Sequence, residues 1–429
     1  MYKLETLTNG LQLITAPRTD TQAVTVLVLV KVGSRYETEK LNGVSHFIEH
    51  LLFKGTAKRP TSLHISRELD GVGAEYNAFT AKDHTGYYIK VNKERLELAL
   101  DILSDILFKP LFPAVEIERE RGVIIEEINM YEDNPLMLIG DIFEGTIFAN
   151  HPLGKRISGP KANIKAISRH EIIKFYREYY FNKKLILGLS GNYNQAEAKK
   201  LINKYFSGQK ISAPVGTFSG FSFKQSAPQL TLHYKETAQV QLALGFPAYK
   251  NTDHRVYPLM LLAVILGGGM SSRLFMEIRE KLGLAYFVRA GVDLYEDTGS
   301  LIIQAGLEQT NITTAIKKIL AELKKIKERG ITPAELVKAR EFIKGKLILQ
   351  LEDSAALISW LAEQRLLTGK IDDLPEKLKK INRVSLAEVE SVAAEIINFK
   401  RLNLALIGPF KNKAEFLKII STKGRSASG

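Results

Sequence analysis

AISRHEIIKFYREYYFNKKLILGLSGN (166–192) and RVSLAEVESVAAEIINFKRLNLALIGP (383–409) decide the fold. In each, a serine opens an amphipathic helical pattern that leads into an apolar strand ending in glycine. The two stretches close two halves of one plan. In the first half, Asn9-Gly10 marks a hairpin and AVTVLVLVKVG (23–33) reads as a buried strand. A helix is expected over 42–53, with Asn42 as its N-cap and Gly55 as its stop, and another begins near Ser62. AEYNAFTA (74–81) and TGYYIKV (85–91) alternate as two strands, and helices follow over 93–107 and 113–130.

The second half repeats this order. Residues 231–249 are strand-like, 257–268 helical and 288–307 a pair of strands, before long helices over 312–350. The stretch 207–229 is rich in Gly, Ser and Pro and lacks any period. The expected division is therefore a first domain over 1–208, a linker over 209–229, a second domain over 230–420 and a disordered tail over 421–429. Each domain is expected to be α+β, a mostly antiparallel sheet packed with helices.

Composition narrows the chemistry. The 429 residues include no cysteine, so any metal must be held by His and carboxylate. No run of about 18 apolar residues spans a membrane. The opening MYKLETLTNGLQL has neither a signal-peptide core nor a transit pattern, so a cytoplasmic location is expected. Net charge is +13, yet the basic residues of segments such as 315–330 alternate with apolar ones and mix with Glu. That is a solvated helix face, and no nucleic-acid partner is expected.

His46-Phe47-Ile48-Glu49-His50 is the sharpest local feature. On a helix His46 and His50 lie about 40° apart, with Glu49 on the same face. Val44, Phe47, Ile48, Leu51 and Leu52 cover the opposite face. Two imidazoles and a carboxylate on one face suit a catalytic zinc, which needs neutral nitrogen ligands and a base near its water. A third ligand is expected from the carboxylate-rich segment 113–133, where Glu116, Glu120 and Glu127 share a face and Glu126 points about 100° away. Glu118, Arg119 and Arg121 read as solvent-facing charge. Arg279 and Tyr286, seven residues apart, could donate to an oxyanion, but their spacing also fits a surface Arg and a core Tyr.

The H-x-x-E-H helix is the inverzincin signature, and the chain resembles the pitrilysin-like zinc metallopeptidases, in the branch of mitochondrial processing peptidase and its bacterial relatives. There are 76 residues between His50 and Glu127, and Glu120 lies seven before Glu127, as that family requires of its third ligand and its assisting acid. The resemblance implies one Zn2+ per chain on His46, His50 and Glu127, with Glu49 as base and Glu120 as assisting acid. It implies that Arg279 and Tyr286 complete the catalytic set, and that Asn77 and Ala78 lie on a substrate-binding edge strand. Gly267 to Gly269 match the family's glycine-rich loop, which contacts substrate backbone or closes a turn. His84 reads as structural, and His64, His151, His170, His233 and His254 have no ligand spacing.

The same resemblance implies that this chain is one half of a clamshell and works as a homodimer on extended peptides. Arg279 and Tyr286 of one copy would then complete the zinc site of the other. The alternative is a non-catalytic scaffold subunit of a processing-peptidase-like complex.

Overall fold

In the computed structural model, residues 2–211 and 216–421 are described. The expected tail over 421–429 therefore lies, apart from Ser421, outside the described residues, as do residues 212–215 of the expected linker. The chain forms two compact units, each built on one sheet.

The first sheet holds β1 (Lys3–Thr6), β2 (Gln12–Pro17), β3 (Ala23–Val30), β4 (Glu75–Thr80), β5 (Thr85–Asn92) and β6 (Ile186–Gly191), in the order β1-β2-β6-β3-β5-β4. The second holds β7 (Gln229–Tyr234), β8 (Gln239–Ala248), β9 (Ala285–Leu294), β10 (Gly299–Glu308) and β11 (Asn403–Gly408), in the order β7-β11-β8-β10-β9. Leaving β1 aside, the orders are the same. In both, the strand from the duplicated closing stretch enters the middle, parallel to one neighbour and antiparallel to the other. The helices before β6 and β11, Arg169–Tyr179 and Leu386–Ile396, each start with a full capping box, Ser168 with Glu171 and Ser385 with Glu388. The α+β class and the duplication expected from the sequence are both present.

The central strands of each sheet are buried on both faces, which is why β3 reads AVTVLVLV without a polar face. Val24, Val26, Val28 and Val30 pack on the side of helices Val44–Leu52 and Leu96–Phe108. Leu27 and Leu29 pack on the other side against Ile358, Leu361 and Ala362 of helix Ser354–Thr368. Thr25 adds a hydroxyl contact to Ser354 at 2.8 Å. In the second unit, helix Pro135–Ile147 takes the corresponding place, with Phe143 and Ile147 in one core with Ala243, Ala405 and Ile407.

These two covering helices change the division expected from sequence. The first unit comprises 1–129, 155–219 and 348–374, and the second 130–154, 220–347 and 375–429. Residues 130–154 thus leave the expected first domain and 348–374 leave the second. The physical reason is glycine at the contact. A Cβ on Gly188 would meet Ile358 at 2.5 Å, and one on Gly245 would meet Phe143 at 2.7 Å, so each sheet is shaped for a helix from the other half of the sequence. The linker, too, is tied down where it is described. Phe218 packs under the Arg35 guanidinium at 3.7 Å in the first unit, and Phe221 packs edge-on to Phe148 in the second.

Among the described residues, no helix is long and apolar enough to cross a membrane.

Candidate metal centre

Helix Val44–Leu52 is fixed before it presents anything. Val44, Phe47, Ile48, Leu51 and Leu52 are all fully buried, as its amphipathic pattern requires. Its N-terminus departs from expectation: the helix begins after Gly43, at φ 106°, with no side-chain cap from Asn42. Glu37 does the capping instead. Its Oε2 accepts the Gly43 N–H and the Asn42 amide, and its Oε1 accepts the Ser45 N–H, each within 2.8–2.9 Å. Burial pushes the Glu37 carboxyl up to about 6, against the pull of these donors.

From that helix the two imidazoles converge, with ring centroids 4.7 Å apart and Nε2 atoms 3.3 Å apart. Helix Ala114–Asp133 delivers Glu127, whose Oε2 lies 3.5 Å from His46 Nε2 and 3.6 Å from His50 Nε2. Three donor atoms spaced in this way match the roughly 3.3 Å edges of a tetrahedron with zinc–ligand bonds of about 2.0–2.1 Å. His46, His50 and Glu127 are the group of His and acidic side chains close enough to share a metal ion among the described residues. The donor set, two nitrogens and one carboxylate with no thiolate, fits zinc.

Glu120 sits behind these three side chains. It is nearly fully buried, and its Oε2 lies 3.0 Å from His50 Nδ1 while Lys54 Nζ lies 2.7 Å from Oε1. A carboxylate on Nδ1 commits that nitrogen to donating, so Nε2, which faces the cluster, is the nitrogen that would release its proton to a metal. Burial works against the Glu120 charge, but the hydrogen bonds with His50 and Lys54 hold its carboxyl below the usual range. Burial lowers His46 to about 4, helped by the neighbouring His50 charge. Burial pulls His50 down as well, yet Glu120 and Glu127 outweigh it and raise the ring to about 9.

Glu49 lies on the same helix, and Thr80 Oγ1 donates to its Oε2 at 2.6 Å. Burial raises its carboxyl above the ordinary value, although the Thr80 hydrogen bond and the His50 charge act in the opposite direction. Asn77 and Ala78 lie on β4, the outermost strand of the first sheet, where Asn77 Oδ1 accepts the Ala78 N–H at 2.8 Å.

Arg279 and Tyr286 belong to the second unit. Arg279 lies in a π-helical turn, Phe275–Lys281, with its guanidinium 4.8 Å from the Phe275 ring centre and 5.8 Å from that of Tyr286. Tyr286 is 74% exposed, so the core-Tyr alternative does not hold. Gly267 has a packing role: a Cβ there would lie 2.4 Å from the Ala290 N.

Sequence reading misses three participants. Lys54 carries a usable signal, since it stands four residues beyond His50, about one turn on, although the helix itself ends at Leu52. Glu37 and Thr80 carry none, because their contacts arise only when loop and strand pack on the motif helix. Arg121, expected in solvent, instead donates to the carbonyl oxygens of Ile164 and Ile167 and tethers the following segment.

Known proteins resemble this chain in sequence and in fold. Residues 13–161 match the family model described as insulinase, peptidase family M16, and residues 166–342 match that of the peptidase M16 inactive domain. An uncharacterized zinc protease of Streptomyces coelicolor is 35% identical over 95% of this chain and 90% of its own length. YmxG of Bacillus subtilis, also described as an uncharacterized zinc protease, is 34% identical over 96% of this chain and 99% of its own. The crystal structure of a protease from Helicobacter pylori superposes with a TM-score of 0.88 at 25% identity, over 95% of this chain and 99% of that one. The periplasmic protease PqqL of Escherichia coli shares the fold, with a TM-score of 0.81 at 19% identity over 99% of this chain and 50% of that one.

Proposed function

Because the chain belongs to peptidase family M16, we propose that it is a zinc-dependent endopeptidase that hydrolyses extended, unstructured peptides. The observation that carries this reading is the convergence of His46, His50 and Glu127 with Glu49 one residue from the second imidazole.

His46, His50 and Glu127 would hold the zinc, which supplies Lewis acidity to a scissile carbonyl and makes a water acidic near neutral pH. The rest is done by the chain's own side chains. Glu49 takes a proton from the attacking water and returns it to the leaving amine, a role that suits a carboxyl raised by burial. Glu120 holds His50 in the tautomer that leaves Nε2 available. The outer edge of β4 offers backbone groups to an extended peptide, with Asn77 and Ala78 at the point of contact. Tyr286 and Arg279 donate to the oxyanion that forms as the carbonyl is attacked.

The last step belongs to a homodimer, in which Arg279 and Tyr286 of one copy serve the zinc site of the other. Mixing Glu49→Gln chains with Tyr286→Phe chains tests this: activity regained on subunit exchange supports completion across the interface, and none sinks it.

A second reading, the scaffold subunit, is favoured by the inactive-domain match over 166–342. Hydrolysis of a fluorogenic library of unstructured peptides, lost on chelation and regained with zinc, separates the two. The scaffold predicts no turnover under any of these conditions.

A further inference from the structure

β4 does two things at once, and a single residue joins them. The hairpin from β4 to β5 closes where the Ala81 N–H donates to the His84 carbonyl at 2.8 Å. In an antiparallel ladder, hydrogen-bonded and non-hydrogen-bonded pairs alternate. Counting back from that pair along the observed register, Phe79 with Gly86 and Asn77 with Tyr88 are the bonded pairs. The peptide groups of Ala78 and Thr80 therefore face away from β5, toward the edge of the sheet that no strand covers. The Ala78 N–H agrees with this, since it donates to the Asn77 side chain rather than across the ladder.

Side-chain alternation puts Tyr76, Ala78 and Thr80 on one face of β4. That face meets helix Val44–Leu52 and its continuation: Tyr76 packs with Phe53 at 6.2 Å, and Tyr76 and Ala78 join the core that holds Phe47 and Leu51. Thr80 ends the row, and its Oγ1 donates to Glu49 Oε2 at 2.6 Å. Its backbone thus lies on the open edge while its hydroxyl holds the carboxylate on the motif helix.

We propose that Thr80 is the positioning residue for Glu49, and that it couples peptide pairing along β4 to the aim of the base. The proposal rests on the peptidase reading above. A carboxylate on a flexible side chain has many rotamers, and a base loses rate steeply when it drifts from reach of its proton. The Thr80 hydroxyl ties down one oxygen, leaving Oε1 to take the proton. A peptide that pairs with the Ala78 and Thr80 peptide groups then lies in fixed register with that oxygen.

The test compares Thr80→Val, which keeps the branched shape and loses the hydroxyl, with Thr80→Ser, which keeps the hydroxyl. Each is assayed with zinc content and melting temperature checked. In Thr80→Val, kcat should fall about 10- to 100-fold with KM within about twofold of wild type. Thr80→Ser should stay within about threefold of the wild-type kcat. If Thr80→Val fails to fold, Thr80→Ala is read against Thr80→Ser in the same way. Unchanged kcat in Thr80→Val, a change confined to KM, or an equal loss in Thr80→Ser would overturn the proposal. Wild-type turnover that needs zinc and Glu49, together with an unaffected Thr80→Val, removes this inference alone. Zinc-loaded wild type without turnover removes the peptidase reading and this inference together.

Discussion

Lys54 Nζ lies 2.7 Å from Glu120 Oε1, while the other oxygen of the same carboxylate lies 3.0 Å from His50 Nδ1. A lysine just past the end of the motif helix thus acts on a candidate ligand through a buried acid. Carboxylates behind metal-bound histidines typically govern metal affinity by about 10- to 100-fold. Glu120→Gln should weaken zinc binding by about that factor, measured by competition with a chelator, and Lys54→Met should weaken it less. Equal affinities in wild type and Glu120→Gln would remove Glu120 from the support of the site.

Glu37, rather than Asn42, carries the N-terminus of the motif helix. Removing an acceptor that serves three buried donors leaves them unsatisfied. Glu37→Ala should cost about 2–3 kcal/mol in urea unfolding and Asn42→Ala about 1 kcal/mol. A larger cost for Asn42→Ala would restore the cap expected from the sequence.

The covering helix Ser354–Thr368 supports a sheet built mainly from the first half of the chain. Ile358 is fully buried there, and Ile358→Ala should destabilise the protein by about 2–5 kcal/mol. Hydrogen exchange should quicken in β3 and β6, which face that side chain, more than in β11 of the other sheet. Faster exchange in β11 alone would contradict the assignment of this helix to the first unit.

Arg273 and Glu335 form a half-buried pair, with Nε to Oε1 at 2.6 Å. The hydrogen bond from Arg273 lowers the Glu335 carboxyl to about 2. A carboxyl lowered on folding stabilises fully above its unfolded value and loses that contribution as pH falls through its folded value. Wild type should therefore exceed Glu335→Gln in stability by about 1–3 kcal/mol at pH 7. The gap should close between about pH 4.5 and pH 2 in a pH series of thermal unfolding. A gap that widens on acidification would refute the pairing.

What the sequence discloses is what local rules govern. Ser168 and Ser385 announce their helices because a capping box is written within four residues. His46, Glu49 and His50 share a face because helical geometry alone puts them there. The exchange of covering helices is invisible, since PLMLIGDIFEGTI at 135–147 is apolar on most sides and nothing in it names the sheet it will cover. Thr80 is silent for a similar reason. Its link to Glu49 spans 31 residues and exists only once β4 lies against the motif helix. The Glu37 cap is hidden by the short helical turn Glu39–Leu41 between it and Gly43, which brings its carboxylate back to the helix start.

Glu49 is the proposed base of a zinc peptidase. The most direct measurement is peptide hydrolysis by wild-type and Glu49→Gln protein at matched zinc content. The expected result is about one zinc per chain in both and a loss of at least about 100-fold in kcat for Glu49→Gln. Zinc-loaded Glu49→Gln protein that hydrolyses peptides at the wild-type rate would contradict it.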